Sequence, residues 1–137
     1  MELRAGKIMN KAEAKLLNPL QLAYMGDTVW EILVHQELVF KKKNVNHMHH
    51  DCVSAVNAKA QAESLETVLP ILSDEEMDIV RRGRNAHARH PAPKNQDPAD
   101  YADSTAFETL LGFWYITGDP DRLDTVTNMI LEEMDHA

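Results

Sequence analysis

The chain has 137 residues, a formal net charge of −8, 44% hydrophobic residues and a single cysteine, Cys52. That length suits one domain with a core of its own; one cysteine excludes an internal disulfide framework, and no apolar run is long enough to cross a bilayer. Met1 to Asn10 has no basic-then-apolar leader, so the expectation is a soluble cytoplasmic protein.

Residues 1–17 mix Lys, Glu, Ala and Leu and read as a frayed segment or short helix ahead of a single domain over 18–137. Asn18–Pro19 is a strong helix start, with Asn at the N-cap and Pro at the first helical position. Leu22, Met25, Val29 and Leu33 then recur every three or four residues, which predicts a helix from Pro19 to about Phe40. Lys41–Lys43 follow at its C-terminus, where cations complement the dipole. Asn44 to Asp51 is polar and histidine-rich, and the next helix is expected from about His49 to Val68, with Pro70 marking its end. Ser73–Asp74–Glu75–Glu76 is a capping box for a helix reaching about Asn85.

Ala86 to Gln96 holds two prolines and no apolar periodicity, and reads as an exposed, mobile loop. Asp97–Pro98 repeats the cap-and-proline start for a helix to about Thr117, which Gly118 stops. Asp119–Pro120–Asp121 opens a last helix through Met134. Val and Ile fall at helical spacing and alternation is absent, so the fold class is all-α.

The net charge argues against nucleic acid, but its distribution does not. Residues 81–94 carry Arg81, Arg82, Arg84, Arg89 and Lys94 with two histidines and no acid. A local basic patch on an acidic chain fits a polyanion contact beside a cation-binding site. The arginines at the end of a helix also answer its dipole, so part of the patch has a structural explanation.

Asp27 and Glu31 lie four residues apart on one helix face, and Gly26 precedes them. Glu108 lies on another predicted helix, with Ser104 and Thr105 one turn before it and Gly112 one turn after. Two helices, each with a carboxylate beside a glycine, can cross with both carboxylates between them. Hard divalent cations favour such oxygen ligands.

Leu22–Ala23–Tyr24–Met25–Gly26–Asp27–Thr28–Val29–Trp30–Glu31 resembles the signature motif of the ribonuclease III family, usually Leu-Glu-Phe-Leu-Gly-Asp-Ala-Val-Leu-Glu. Thr105–Ala106–Phe107–Glu108–Thr109–Leu110–Leu111–Gly112 resembles its second motif, usually Asp-x-x-Glu-Ala-Leu-Ile-Gly. Arg81–Arg82–Gly83–Arg84–Asn85–Ala86 and the Tyr101–Tyr115 segment most resemble the mini-ribonuclease III branch, a catalytic domain without an appended double-stranded-RNA-binding domain. The resemblance covers about residues 18–118. It implies the helical bundle of that catalytic domain and a Mg²⁺-dependent endoribonuclease, with Mn²⁺ as a substitute ion. The substrate implied is double-stranded RNA, in particular precursor 23S ribosomal RNA in bacteria, cut to 5′-phosphate and 3′-hydroxyl ends by a homodimer. Ribosomal proteins are further expected partners.

By the same resemblance Asp27 and Glu108 are the catalytic metal ligands, and Glu31 supports Asp27 from one turn away. Ala23 and Thr105 stand where the family usually has Glu and Asp, so two of four carboxylates remain; Thr105 is left to hold a water or a ligand carboxylate by hydrogen bond. Arg81, Arg82, Arg84, Arg89 and Lys94 are the expected RNA-binding residues. Two other readings compete. The missing carboxylates suit a non-catalytic RNA- or ribosome-binding adaptor. His47, His49, His50 and Asp51 resemble, more weakly, the His-Asp pair of HD-type metal phosphohydrolases.

Overall fold

The structure is a computed structural model that describes residues 3–42, 44–86 and 92–135. Seven α-helices follow in order among the described residues: α1 Lys11–Leu16, α2 Pro19–Phe40, α3 Val45–Val56, α4 Ala58–Val68, α5 Asp74–Asn85, α6 Pro98–Ile116 and α7 Pro120–Asp135. A 3₁₀ turn, Leu69–Ile71, joins α4 to α5. The described residues contain no strand, as the helical spacing of Val and Ile requires.

The bundle is built around α6. Eleven of its residues are buried, from Ser104 through Tyr115 with only Glu108 half-exposed in that run. A helix that is apolar almost all round needs neighbours on every side. Here α2 crosses it, α4 and α5 pack along it, and α7 closes against α4 and α6. Trp30 of α2 meets Phe107 of α6 edge-on, with ring centroids 5.1 Å apart and planes at 88°. The Trp30 indole donates to the Ala55 carbonyl of α3 at 3.3 Å, so one buried ring ties three helices.

Helix starts follow the sequence signals. Asn18 accepts from the Leu20 amide while the Gln21 side chain reaches back to the Asn18 amide, so the Asn18–Pro19 start is a full capping box. Ser73 and Glu76 cap α5 in the same reciprocal way. Asp97 accepts from the amides of Ala99 and Asp100 at the start of α6.

The helix expected over 49–68 is two helices, and the stretch from Val45 to Asp51 is helical. Asn57 sits in extended backbone (φ −72°, ψ 162°). Its carbonyl oxygen on the side chain accepts from the Ala60 amide at 2.9 Å, while its amide nitrogen donates to the Val53 carbonyl at 3.1 Å. One residue thus closes α3 and opens α4. Asn44 opens α3 earlier than expected by accepting from the His47 amide at 3.0 Å. The polar histidines belong to the solvent side of α3, while Cys52 and Ala55 reach the core.

Residues 3–17 pack on the bundle. Asn10 caps α1, and Lys11 and Lys15 both pair with Glu75 of α5, at 3.1 and 2.6 Å. Arg4 donates to the Tyr115 carbonyl at 2.9 Å, and the Tyr115 hydroxyl donates to the Leu3 carbonyl at 2.7 Å.

Glu76 does more than cap α5. It is 5% exposed and accepts from Arg122 of α7 through both oxygens, at 2.7 and 2.9 Å. The Trp114 indole of α6 donates to it at 2.9 Å. Burial alone would raise its pKa, but the hydrogen bonds from Arg122, the Ser73 amide and Trp114, with the Arg122 charge, outweigh that and lower it.

Candidate active site

The site lies where α2 crosses α6, and two glycines set that crossing. A Cβ on Gly26 would lie 1.7 Å from the Glu108 carbonyl oxygen, and one on Gly112 would lie 1.9 Å from the Leu22 carbonyl oxygen. Backbone touches backbone at both points, so only glycine fits at either. The residues beside these contacts are brought together as a result. Asp27 follows Gly26, and Glu108 stands one turn before Gly112.

Asp27 and Glu108 meet side chain to side chain. Asp27 is exposed, whereas Glu108 is half-buried with its carboxyl withdrawn from water. Burial first, then the hydrogen bond to Asp27, then the Asp27 charge push the Glu108 pKa up to about 8. Two carboxylates held this closely cannot both stay ionised unless a cation or a proton lies between them. The donor set is oxygen only, one carboxylate from each helix, and its unrelieved like charge suits a hard divalent cation.

Gln61 of α4 also reaches Glu108 and opposes the rise in its pKa. It is 2% exposed, and its amide nitrogen has no closed hydrogen bond. The amide approaches the carboxyl without completing a bond of normal geometry. A buried amide left this way costs free energy unless a water or an ion completes its hydrogen bonding. Sequence reasoning passed over Gln61. The signal was there: it shares a helix face with Ser64, Leu65 and Val68, a polar residue on an otherwise inward stripe.

The remaining site candidates are distributed as follows. Thr105 is buried one turn before Glu108, and its carbonyl accepts from the Thr109 hydroxyl at 2.7 Å. Ala23 is buried one turn before Asp27. Glu31 is exposed, and its carboxylate lies with the ring of His35 and the thiol of Cys52. Burial, then the Glu31 charge, push the Cys52 thiol pKa up.

Arg81, Arg82 and Arg84 lie in the last turns of α5, where the helix expected to about Asn85 puts them. Arg81 pairs with Asp78, Arg82 donates to the Leu17 carbonyl at 3.3 Å, and Arg84 donates to Asp103 of α6 at 2.6 Å. Asp103 is thereby tied to α5 and not to the carboxylate pair. Lys94 is exposed; Arg89, His87, His90 and the centre of the expected loop lie outside the described residues. His50 and Asp51 touch at 3.5 Å on the surface of α3, with the His50 side chain 82% exposed.

A family model described as Ribonuclease III domain matches residues 20–119. Among curated relatives, Mini-ribonuclease 3 of Symbiobacterium thermophilum is 44% identical over 119 residues, 86% of this chain and 91% of that protein. Mini-ribonuclease 3 of Staphylococcus aureus is 43% identical over 120 residues, covering 85% and 89%, and that of Synechococcus is 40% identical over 128 residues, covering 93% and 91%. A Fusobacterium nucleatum protein solved by crystallography shares the fold with a TM-score of 0.81 at 21% identity, over 92% of this chain and 99% of that one.

Proposed function

The chain belongs to the ribonuclease III family, and from that premise we propose that it is a divalent-metal-dependent endoribonuclease that cuts double-stranded RNA at the α2–α6 crossing. The observation that carries this reading is the Asp27–Glu108 pair, two carboxylates from different helices held together by the Gly26 and Gly112 contacts. Mg²⁺ is the proposed ion, with Mn²⁺ able to replace it. When bound, the ion supplies an activated water and offsets charge on the phosphodiester as its 3′ oxygen departs.

The protein's own groups do the rest. Asp27, exposed, faces incoming RNA and offers the first carboxylate. Glu108, recessed, offers the second. In the absence of a cation Glu108 holds a proton at neutral pH, and it gives that proton up when a cation takes its place. Gly26 and Gly112 keep the two carboxylates from spreading apart. Cleavage leaves a 5′ phosphate and a 3′ hydroxyl.

The broader assignment follows the family. We place the reaction on double-stranded ribosomal RNA precursors, 23S in particular, in the cytoplasm and beside ribosomal proteins. Two copies acting as a homodimer would cut both strands of a duplex. Arg81, Arg82, Arg84, Arg89 and Lys94 are the proposed phosphate contacts. Neutralised by Asp103, Arg84 contributes less than its charge suggests.

The test uses a long perfectly paired RNA and a single-stranded RNA of the same sequence. Duplex cleavage with Mg²⁺, its loss with chelator, and an intact single strand are expected. Duplex binding without cutting at any Mg²⁺ or Mn²⁺ concentration would overturn the nuclease and favour the adaptor.

A further inference from the structure

A second cluster of metal-ligating side chains lies on α2 beyond the carboxylate pair. Glu31 and His35 are four residues apart on α2 and share a face, and Cys52 meets them from α3. One ligand atom from each lies within 4.8 Å of the other two. The three line a cavity of about 380 Å³ between α2 and α3, whose other walls include Leu38, Met48 and Val56. We propose that Glu31, His35 and Cys52 form a metal site for a borderline divalent cation of the Zn²⁺ type, separate from the Asp27–Glu108 pair.

The chemistry of the donors selects the ion. The set is one oxygen, one imidazole nitrogen and one thiolate sulfur, a mixture that suits Zn²⁺ and disfavours Mg²⁺, which keeps oxygen ligands. A tetrahedral Zn²⁺ with bonds of roughly 2.0–2.3 Å spaces its ligands about 3.3–3.7 Å apart. To reach that spacing from the observed spread, a bound ion would draw the exposed Glu31 and His35 toward the buried Cys52. Three protein ligands leave a fourth position, and the cavity offers it room for a water. Binding breaks the Cys52 S–H bond, forms the sulfur–metal bond and releases the proton to solvent. The ion then joins α2 to α3 on the stretch of α2 that carries Asp27 one turn earlier.

Co²⁺ serves as the spectroscopic probe, on the full chain freed of metal, in a background carrying Asp27→Asn so that the other site does not compete. A thiolate-to-cobalt charge-transfer band saturating at one ion per chain is expected, displaced by Zn²⁺ and unmoved by a large excess of Mg²⁺. Cys52→Ser should abolish the band. His35→Gln, on an exposed position that cannot threaten the fold, should weaken Co²⁺ binding at least about tenfold. No charge-transfer band, or a band and affinity unchanged in His35→Gln, would overturn the site.

Discussion

Two glutamates on neighbouring helices are both withdrawn from water and are treated in opposite ways. Glu76 is surrounded by donors: Arg122, the Trp114 indole and the Ser73 amide. Its charge is satisfied and its pKa falls. Glu108 is given another carboxylate, Asp27, and a Gln61 amide that does not close a bond; its pKa rises to about 8. The first arrangement completes a structure, while the second leaves a charge deficit that something from outside must fill. The like charge at Glu108 is what the proposed metal role would use.

The contrast breaks most visibly when each carboxylate is neutralised. Asp27→Asn and Glu108→Gln should each lower the rate of duplex cleavage by about 10²–10³-fold. Neither should greatly lower the melting temperature in chelator at neutral pH, because Glu108 is then protonated and the amide in either variant keeps a hydrogen bond between the two side chains. A variant that cuts at full rate would end the assignment. At Glu76 the effect is inverted. Arg122→Met strands the carboxylate and should cost about 3 kcal/mol in urea unfolding, the low end for a broken buried pair because Arg122 is partly exposed. Cleavage per folded molecule should stay unchanged; a matching loss of activity would mean the two sites are coupled.

How much of this contrast is visible in the sequence depends on how local each interaction is. The Ser73–Glu76 box is local, so the start of α5 is legible, but Arg122 lies 46 residues from Glu76 and nothing in the spacing links them. The Asn18–Pro19 and Asp97–Pro98 starts are legible for the same reason. Asn57 is not, because an asparagine inside a helical pattern reads equally well as an exposed interior residue, and only its extended backbone reveals a cap at both ends. The α2–α6 crossing is a long-range contact that still left a local mark. Gly26 and Gly112 each interrupt an apolar run beside a carboxylate, and glycine there has few explanations other than close approach. Arginines carry no such mark, and the pairing of Arg84 with Asp103 came only from the packing of α5 on α6.

Acid and base should pull the two glutamates apart. A carboxyl raised from 4.5 to about 8 keeps its proton in the folded chain after the unfolded chain has lost it. Between those values the folded state binds more protons, so Glu108's contribution to stability is complete below about pH 4.5 and fades as pH rises through about 8. Glu76, with its pKa lowered, contributes above its unfolded value and loses that contribution as pH falls. In chelator the melting temperature of Glu108→Gln should therefore decline less than wild type from about pH 5 to pH 8. Added Mg²⁺ should reduce the wild-type decline, since a cation stands in for the proton. Equal slopes for wild type and variant would show that the carboxylates do not share a proton.

The smallest expected effect concerns Gln61, and it decides whether the deficit at Glu108 is functional. Leu in place of Gln61 has similar volume and removes a buried amide whose nitrogen closes no hydrogen bond of normal geometry. If Gln61 were only filler, the variant would gain stability, about 1 kcal/mol, at no loss of activity. If the amide positions the Glu108 carboxyl, Gln61→Leu gains the same stability but needs about tenfold more Mg²⁺ for half-maximal cleavage. The Mg²⁺ requirement separates the two cases, because improved packing alone leaves it unmoved. Gln61→Glu keeps a polar group at this position but adds a third negative charge beside Asp27 and Glu108. It should lower the Mg²⁺ requirement below that of Gln61→Leu and lower stability in chelator, so the two substitutions move affinity and stability in opposite directions around one carboxyl.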